Sequence, residues 1–386
     1  MSVNANARQR VAVLFGGPSD EYDVSCHSAA NVVRALNRDR FSVTPVRITR
    51  DSVWIVGDEI ESGQGVTVDE DYLLHSTRDE LSHAAPSVGA SLAAAVASLA
   101  RMDVVFPVLH GRYGEDGTVQ ALLELAGAPY VGNGVFASAA GMDKQQTKRL
   151  LAAEGMTVAD GVVLGPADTA IDETTRARLG LPVFVKPARS GSSVGVTKVR
   201  RWSDLDAAVA VALRSDSKVL VERAVPGREV DIAVLEYPDG TVVAGPPLEI
   251  VLPGSVDFFD YGAKYENDAV EFRIPADLDP QLTEQLHELA IQVFRLLDCK
   301  GMLRVDFFLQ PEADGSGGVN PVVNEVNTMP GMTAMSQYPQ IWKAGGIEYS
   351  DLLTILIDTA LATDRANNGT NNGTNTRTVN RSNRSE

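Results

Sequence analysis

Residues 184–199 read FVKPARSGSSVGVTKV and are the most informative segment of the sequence. An apolar strand that carries Lys186 enters a loop with Gly191 and Gly195, and a second strand-like run, residues 194–199, leaves that loop. Such a loop exposes backbone N–H groups that can donate to phosphate oxygens, while the lysine supplies a positive charge. The pattern therefore predicts a phosphate-binding turn between two strands. On the loop alone, a flexible hairpin turn without a ligand explains the pattern equally well.

The same loop also matches the serine-nucleophile pattern G-x-S-x-G at residues 191–195. In that arrangement the chain passes from a strand into a helix, whereas the alternating valines that follow here predict a second strand. A serine hydrolase is therefore disfavoured. Gly16-Gly17 does not form G-x-G-x-x-G, the chain has no Gly-Lys dipeptide, and its five histidines include no pair spaced like a zinc site.

A second polar cluster lies further along the chain, where Arg304-Val305-Asp306 is followed after a turn-rich segment by the sequence NEVN, residues 324–327. Strand side chains alternate, so Arg304 and Asp306 share one face, as do Glu325 and Asn327. If the two strands form a hairpin, two carboxylates and an amide oxygen come together. These hard-oxygen ligands predict a Mg²⁺ site with phosphate ligands. A solvated strand face is the alternative.

The N-terminal part of the chain predicts a parallel α/β unit. An apolar strand (11–15), a glycine turn and a helix (24–36) follow one another, with further strands at 42–48 and 104–109. His110 opens the sequence HGRYGEDG at the end of the last strand, where ligands bind in open α/β sheets. Residues 57–100 are predicted to be irregular until a helix at 91–100.

The sequence divides into three folded units and a tail, which combine α/β and α+β architecture. The predicted units are an N-terminal substrate domain (1–132), a central unit (133–222), a C-terminal unit (223–364) and a disordered tail (365–386) rich in Asn. Four helices are predicted beyond the first domain. Three of them span residues 137–153, 281–297 and 351–362, and Asp279 is the predicted N-cap of the second of these. The fourth starts at a predicted capping box of Ser203 and Asp206.

Composition restricts the partners. With 34 basic and 51 acidic residues the formal net charge is −17, which argues against nucleic acid and anionic membranes but not against a small anion in a local pocket. Two cysteines without a C-x-x-C pair exclude a disulfide framework and fit a reducing compartment. The first residues lack a secretory h-region, and no apolar run is long enough for a membrane span. We therefore expect a cytoplasmic protein without membrane insertion.

Eight segments, in this order, resemble the D-alanine–D-alanine ligases of the ATP-grasp superfamily. They are FGGPSDEYDVS, HGRYGEDG, GMDKQQTK, FVKPARSGSSVGVTKV, VERAVPGREVD, FFDYGAKY, RVDFF and NEVNTMPGMT. The resemblance runs from about residue 10 to residue 363. It implies an ATP-grasp fold with an N-terminal Rossmann-like domain, ATP and D-alanine as substrates, two Mg²⁺ ions (or Mn²⁺), and a homodimer.

The resemblance also implies a role for particular residues. For ATP, these are Lys144 and Lys186 at the phosphates under the Ser192-Ser193 loop, Glu222 and the backbone near Val225 at adenine, and Glu229 at ribose. For D-alanine, they are Glu21, His110, Arg304, the backbone near Gly331, and Ser336. Asp306, Glu325 and Asn327 would bind metal. Lys264 and Tyr265 would lie in a closing loop that Glu21, Ser192 and Tyr265 link to the body.

Three alternatives stay open at this stage. The second substrate could be D-lactate or D-serine, although the segment DYGAKY with Tyr265 favours D-alanine. The chain could also be a non-catalytic nucleotide-binding module, but such a module would be expected to lack a metal ligand or a phosphate lysine, and none is missing here. Ser190 occupies a loop position that often carries a charge in relatives, which leaves the local contacts of the loop open.

Overall fold

The structure is a computed structural model that describes residues 8–60, 68–77, 87–167, 170–252, 270–312 and 317–372. Its N-terminal sheet contains β1 (Gln9–Gly16), β2 (Phe41–Ile48), β3 (Trp54–Val56) and β4 (Val104–Val108). The strand order is β3-β2-β1-β4, and β1 is parallel to both β2 and β4. Val11 and Val13 face one core while Ala12 and Leu14 face another. Burial on both faces explains the continuous apolar run, and the predicted parallel α/β unit is confirmed.

Helices cover both faces of this sheet. They are α1 (Tyr22–Ala35), α2 (Glu70–Ser76), α3 (Val88–Leu99) and α4 (Thr118–Ala126). The prediction of irregular structure from residue 57 to 90 was wrong at α2, because the Asp69 carboxylate caps that helix by accepting from Tyr72 N and Leu73 is buried. Two parts of this segment, 61–67 and 78–86, lie outside the described residues.

The single helix predicted over residues 137–153 is two helices, α5 (Val135–Met142) and α6 (Lys144–Ala153). They meet at Asp143, whose backbone is extended and whose carboxylate accepts from Gln145 N and Gln146 N. An aspartate that bonds to the following backbone in this way starts a new helix and interrupts the previous one. The correction matters for the site because it places Lys144 in the first turn of α6.

A four-stranded antiparallel sheet follows, in the order β5-β8-β6-β7. Its elements are β5 (Gly161–Leu164), α7 (Glu173–Leu179), β6 (Val183–Pro187), β7 (Thr197–Val199), α8 (Leu205–Ala212) and β8 (Val219–Arg223). The loop after β6 leads into a strand, as predicted, but β7 starts at Thr197 rather than at residue 194. The predicted capping box was wrong, since α8 follows a 3₁₀ turn at Trp202–Asp204 and the Ser203 hydroxyl donates to Asp204.

The third sheet has six strands, and its pairs are antiparallel. Its elements are β9 (Arg228–Glu236), β10 (Val242–Ala244), β11 (Leu248–Val251), β12 (Glu271–Arg273), α9 (Pro280–Leu296), β13 (Met302–Pro311), β14 (Val319–Asn327), α10 (Gln337–Ala344) and α11 (Tyr349–Asn372). The strand order is β12-β11-β9-β13-β14, with β10 also paired to β9. Asp279 caps α9, with Pro280 in the first turn, as predicted.

The last helix corrects the predicted tail. α11 extends from Tyr349 to Asn372, past the predicted helix end at 362 and into the segment 365–386. Once the apolar part of a helix is docked, each further residue adds a hydrogen bond without a new nucleation cost, and polar residues can therefore extend it. Residues 373–386 lie outside the described part of the chain. Among the helices that the structure does describe, none has both the length and the apolar character needed to cross a bilayer.

The six-stranded sheet has a different neighbour on each face. One face shares a core with the N-terminal sheet, α1 and α11, which includes Val13, Leu235, Met302 and Leu353. The other face packs on α5, α6 and α9. The four-stranded sheet has a separate core together with α7 and α8. The first and third sheets are therefore joined by shared packing, whereas the second sheet packs separately.

Candidate active site

The N-terminal sheet brings Glu21 and His110 to one edge. The chain leaves β1 for β2 on one side and later returns as β4 on the other side of β1, so a crevice opens at the carboxyl ends of β1 and β4. Glu21 precedes α1 at the first strand end, and His110 follows the second. The Ser19 hydroxyl donates to His110 O at 2.7 Å and ties the two ends together. The sequence prediction of a ligand site at His110 fits this position.

Below this crevice lies a buried polar network. The His110 ring contacts Ser28 Oγ and Met329 O, each at 3.2 Å, and burial lowers its pKa. Glu115 accepts from Gly111 N at 2.7 Å and from Met329 N at 3.2 Å. Burial, together with the charge of Glu21, raises the pKa of Glu115 to about 8. These bonds connect the first unit to the segment that follows β14.

The glycine-rich loop closes over the same crevice from the four-stranded sheet. The Ser192 hydroxyl donates to Glu21 Oε1, and a β-carbon at Gly191 would lie only 2.7 Å from Glu21 Oε2. A side chain at residue 191 would therefore force the Glu21 carboxylate to move. Ser192 and Ser193 both have positive φ, 48° and 58°. Backbone of this kind presents successive N–H groups to an anion.

The base of the loop is fixed by Asp216, which lies just before β8. Its carboxylate accepts from Arg189 N at 2.8 Å, from the Arg189 guanidinium at 2.6 and 3.1 Å, and from Lys218 N at 3.1 Å. Burial opposes ionisation of Asp216, but the hydrogen bonds from Arg189 outweigh it and lower the pKa of the carboxyl. Near this base, Lys144 Nζ donates to Ser190 O at 2.8 Å. The contact at Ser190 is thus made by its backbone, and no charged side chain is needed there.

The predicted hairpin is present as β13 and β14. Arg304 pairs with Asn327 and Asp306 with Glu325 across the ladder, and the register shifts after Asp306. The Arg304 guanidinium, buried, donates to Asp306 at 2.7 and 2.8 Å and lies 3.3 Å from Asp231 on β9. Burial opposes its charge, but the two aspartates outweigh that effect and raise its pKa. Arg304 therefore stays charged in the floor of the site.

The predicted metal ligands lie on this hairpin. Asp306 and Glu325 face each other across the strands, and Lys144 Nζ lies 3.2 Å from Glu325 Oε2. Asn327 fits with its amide nitrogen turned toward Glu115 Oε1 and Met329 O, each at 3.2 Å. Two carboxylates and an amide are hard-oxygen donors that suit Mg²⁺. No cluster of three or more His, Cys, Asp or Glu side chains placed to hold a metal occurs in the described ranges.

A buried charge cluster lies where the second sheet meets α6. Glu222 on β8, only 3% exposed, pairs with Lys186 at 2.6 Å through Oε2 and with Lys148 at 3.0 Å through Oε1. Burial opposes the charge on Glu222, but the two lysines outweigh it and lower its pKa. Burial also opposes the charge on Lys186, but the charges of Glu222 and Glu325 outweigh burial and raise the pKa of Lys186. For Lys148 the balance is the opposite, because burial outweighs the charge of Glu222 and lowers the pKa of Lys148.

The predicted residues line two adjoining cavities. The larger, of about 990 Å³, is lined by Lys144, Lys186, Ser192, Ser193, Glu222, Val225, Glu229 and Glu325. The smaller, of about 560 Å³, is lined by Glu21, His110, Lys144, Ser192, Arg304, Glu325, Asn327, Gly331 and Ser336. Asp306 lies behind Arg304 and, among the described lining residues, appears in neither wall. Lys264 and Tyr265 lie outside the described residues.

Three residues that contribute to the site were missed from sequence. Lys148 could have been found, because it follows Lys144 by four residues and therefore shares its helix face. Glu115 belongs to the quoted HGRYGEDG segment, but its burial depends on contacts with residues about two hundred positions away. Asp231 lies on β9 beside Arg304, and only the pairing of β9 with β13 reveals that contact.

Comparisons with known proteins agree with this arrangement. Residues 10–133 match the family model described as D-ala D-ala ligase N-terminus, and residues 150–358 match the D-ala D-ala ligase C-terminus model. Curated D-alanine–D-alanine ligases from Rhodococcus erythropolis and Nocardia farcinica are each 50% identical to this chain, and the matches cover 92% of the chain and 98% of those proteins.

Solved structures show the same relationship. A D-Ala:D-Ser ligase from Enterococcus faecalis superposes with a TM-score of 0.74 at 35% identity, covering 92% of this chain and 100% of that one. The D-alanine–D-alanine ligase from Coxiella burnetii gives 0.75 at 30% identity, with coverage of 95% and 97%. The enzyme from Bacillus anthracis, solved in complex with ATP, gives 0.70 at 26% identity, with coverage of 93% and 100%. With these matches along both halves of its length, the chain belongs to the D-alanine–D-alanine ligase family and has its ATP-grasp fold.

Proposed function

We propose that this chain joins two D-alanine molecules into D-alanyl-D-alanine through a D-alanyl phosphate, with ATP converted to ADP and phosphate, to supply the peptidoglycan precursor. One observation carries the proposal: the two cavities share a wall. Lys144, Ser190, Gly191, Ser192 and Glu325 line both of them. A nucleotide in the larger cavity and an amino acid in the smaller one would have their reacting groups side by side, as phosphoryl transfer requires.

In the larger cavity, Lys144 and Lys186 would offset the charge of the phosphates under the Ser192-Ser193 loop. Glu222 and the backbone near Val225 would bind adenine, and Glu229 the ribose. The donor set of Asp306, Glu325 and Asn327 suits Mg²⁺, which when bound would offset phosphate charge and polarise the transferred group.

In the smaller cavity, Glu21 would bind the amino group of the first D-alanine, with His110 beside it. The carboxylate of that D-alanine attacks the γ-phosphate, and the amine of the second D-alanine then attacks the activated carbonyl. Arg304 and backbone N–H groups near Gly331 would stabilise the charge that develops on the carbonyl oxygen. Ser336 would hold the carboxylate of the second D-alanine.

The acyl phosphate intermediate must be protected from water. Gly191 and Ser192 already cover Glu21 from one side. The predicted closing loop with Lys264 and Tyr265 lies outside the described residues and stays a prediction. The homodimer, the cytoplasmic location and the three-unit division at residues 132 and 222 also stay predictions.

Phosphate release from ATP tests the proposal, measured with D-alanine, D-lactate or D-serine as substrate and with L-alanine as the control. Release with D-alanine alone, together with the dipeptide as product, is expected. D-alanine–D-serine specificity is the second candidate, because the E. faecalis structure of that specificity is 35% identical to this chain. Release that requires D-serine beside D-alanine would favour it, and no D-amino-acid-dependent release would contradict both.

A further inference from the structure

Lys148 is a buried lysine that the proposed reaction does not use. It is 8% exposed, and its ammonium lies 3.0 Å from Glu222 Oε1. Lys186 approaches the other oxygen of the same carboxylate at 2.6 Å. Two lysines thus share one carboxylate in a setting where burying a charge is costly unless the charge is paired.

The two lysines differ in their access to ligand. Lys186 lines the larger cavity, next to the glycine-rich loop. Lys148, by contrast, is absent from the described walls of both cavities. A phosphate that enters the larger cavity can therefore compete with Glu222 for Lys186, whereas it cannot reach Lys148.

The position of Lys148 in the fold makes it a fixed support. It lies on α6, one turn after Lys144, and α6 packs through Leu151 on the six-stranded sheet. Glu222 lies on β8 of the four-stranded sheet. The Lys148–Glu222 pair thus links α6, which packs on the six-stranded sheet, to the four-stranded sheet, and Glu222 lines the larger cavity.

We propose that Lys148 is a positioning residue for recognition of the nucleotide base, because it holds the Glu222 carboxylate in place when Lys186 turns to the phosphates. This inference rests on the proposed ATP site. A carboxylate held in this way accepts from the exocyclic amino group of adenine and repels the carbonyl oxygen that guanine presents at the same position. Lys148 then sets the preference for adenine over guanine nucleotides without touching either.

The test measures ADP and GDP binding by calorimetry, with Mg²⁺ and without D-alanine, for the wild type, Lys148→Met, Lys148→Arg and Lys300→Met. Lys148→Met removes the charge and should bind ADP about tenfold more weakly, which is the size of effect expected when the adenine amino group loses its hydrogen bond to the charged Glu222. The affinity for GDP should change little. Lys148→Arg should keep most of the ADP preference. Lys300, a half-exposed lysine whose amine lies 3.5 Å from Glu236, is absent from the described walls of both cavities; it is the control and should bind like the wild type.

A double-mutant cycle separates positioning from general damage. In a Glu222→Gln background the carboxylate is gone, so the added Lys148→Met change should have little further effect on ADP binding. An equal loss of ADP and GDP affinity, or the same loss in both backgrounds, would overturn the inference. Circular dichroism of each variant checks that it is folded. If Lys148→Met alone does not fold, Lys148→Gln, which also removes the charge but keeps a polar side chain, takes its place in the cycle.

Turnover assays keep the two proposals distinguishable. If the wild type releases no phosphate with D-alanine but ADP binding responds to Lys148 as described, the proposed reaction fails and the positioning role stands. If the wild type is active and Lys148→Met leaves both the KM for ATP and the ADP preference unchanged, the positioning role fails alone. A wild type that binds no ADP contradicts both.

Discussion

The β13–β14 hairpin and the glycine-rich loop after β6 both contribute to the site, yet they are built in different ways. The hairpin forms one end of the six-stranded sheet, with β9 paired to β13, and the register between β13 and β14 places Arg304, Asp306, Glu325 and Asn327 together. The loop has short strands at its ends and two serines with positive φ, and its tip is held by contact with Glu21 from another unit.

The two regions are expected to differ in how far they contribute to folding stability and how far to turnover. Arg304 and Asp306 on the hairpin are buried and paired with each other, so changing either should affect folding as well as turnover. Ser192 and Ser193 at the loop tip are only partly buried, so changing them should affect turnover far more than folding. Changing Asp216 at the base of the loop should have an effect on folding that is intermediate between these two cases.

The largest effect is expected for Arg304→Met. This change leaves Asp306 and Asp231 buried without their shared cation, so the free energy of unfolding should fall by about 3–5 kcal/mol, and turnover should be lost. Urea denaturation measures the stability change. Arg273→Met, on the exposed edge strand of the same sheet, is the control and should change stability by less than about 1 kcal/mol. A loss of stability that is no larger for Arg304→Met than for Arg273→Met would show that the hairpin charges do not stabilise the fold.

An intermediate effect is expected for Asp216→Ala, which leaves Arg189 N and Lys218 N without their acceptor. Stability should fall by about 2 kcal/mol. Because the pKa of Asp216 is lowered from 3.8, its contribution is fully present above that pH and is lost as the pH falls through the lower folded-state pKa. Denaturation of wild type and variant from pH 7 downward should therefore converge in strong acid. A constant difference at every pH would contradict this assignment.

The smallest effect on stability is expected for Ser192→Ala. Loss of one partly exposed hydrogen bond to Glu21 should cost about 1 kcal/mol or less, while turnover should fall about tenfold or more because Glu21 loses its partner beside the substrate. Thermal unfolding and phosphate release measure the two effects. Ser203→Ala, in the same unit but far from the cavities, should alter neither. A stability loss as large as that of Arg304→Met would show that the loop is part of the core.

Much of this arrangement was predictable from sequence because it depends on short-range periodicity. The alternation of Arg304 and Asp306, and of Glu325 and Asn327, determines their faces once the strands pair. The apolar run of β1 is likewise explained by a parallel strand buried on both faces. The family segments predicted which residues line the cavities, and every one of them in the described ranges, except Asp306, does so.

The remainder depends on contacts between distant parts of the chain. Asp231 approaches Arg304 only because β9 pairs with β13, and Lys148 meets Glu222 only because α6 packs beside the second sheet. The prediction of one continuous helix across Asp143 was wrong for a local reason. A capping aspartate between two helical runs marks a helix boundary that apolar periodicity does not reveal. The extension of α11 shows that a polar sequence can remain helical when it continues a docked helix.

The division of apolar cores has a consequence for how the molecule opens in solution. The first and third sheets bury their side chains in one cluster, so neither can unfold without exposing surface of the other. The second sheet closes its cluster on itself. Native-state hydrogen exchange should therefore show one large cooperative unit and one small one. The glycine-rich loop belongs to the small unit, whereas the metal-ligand hairpin belongs to the large one.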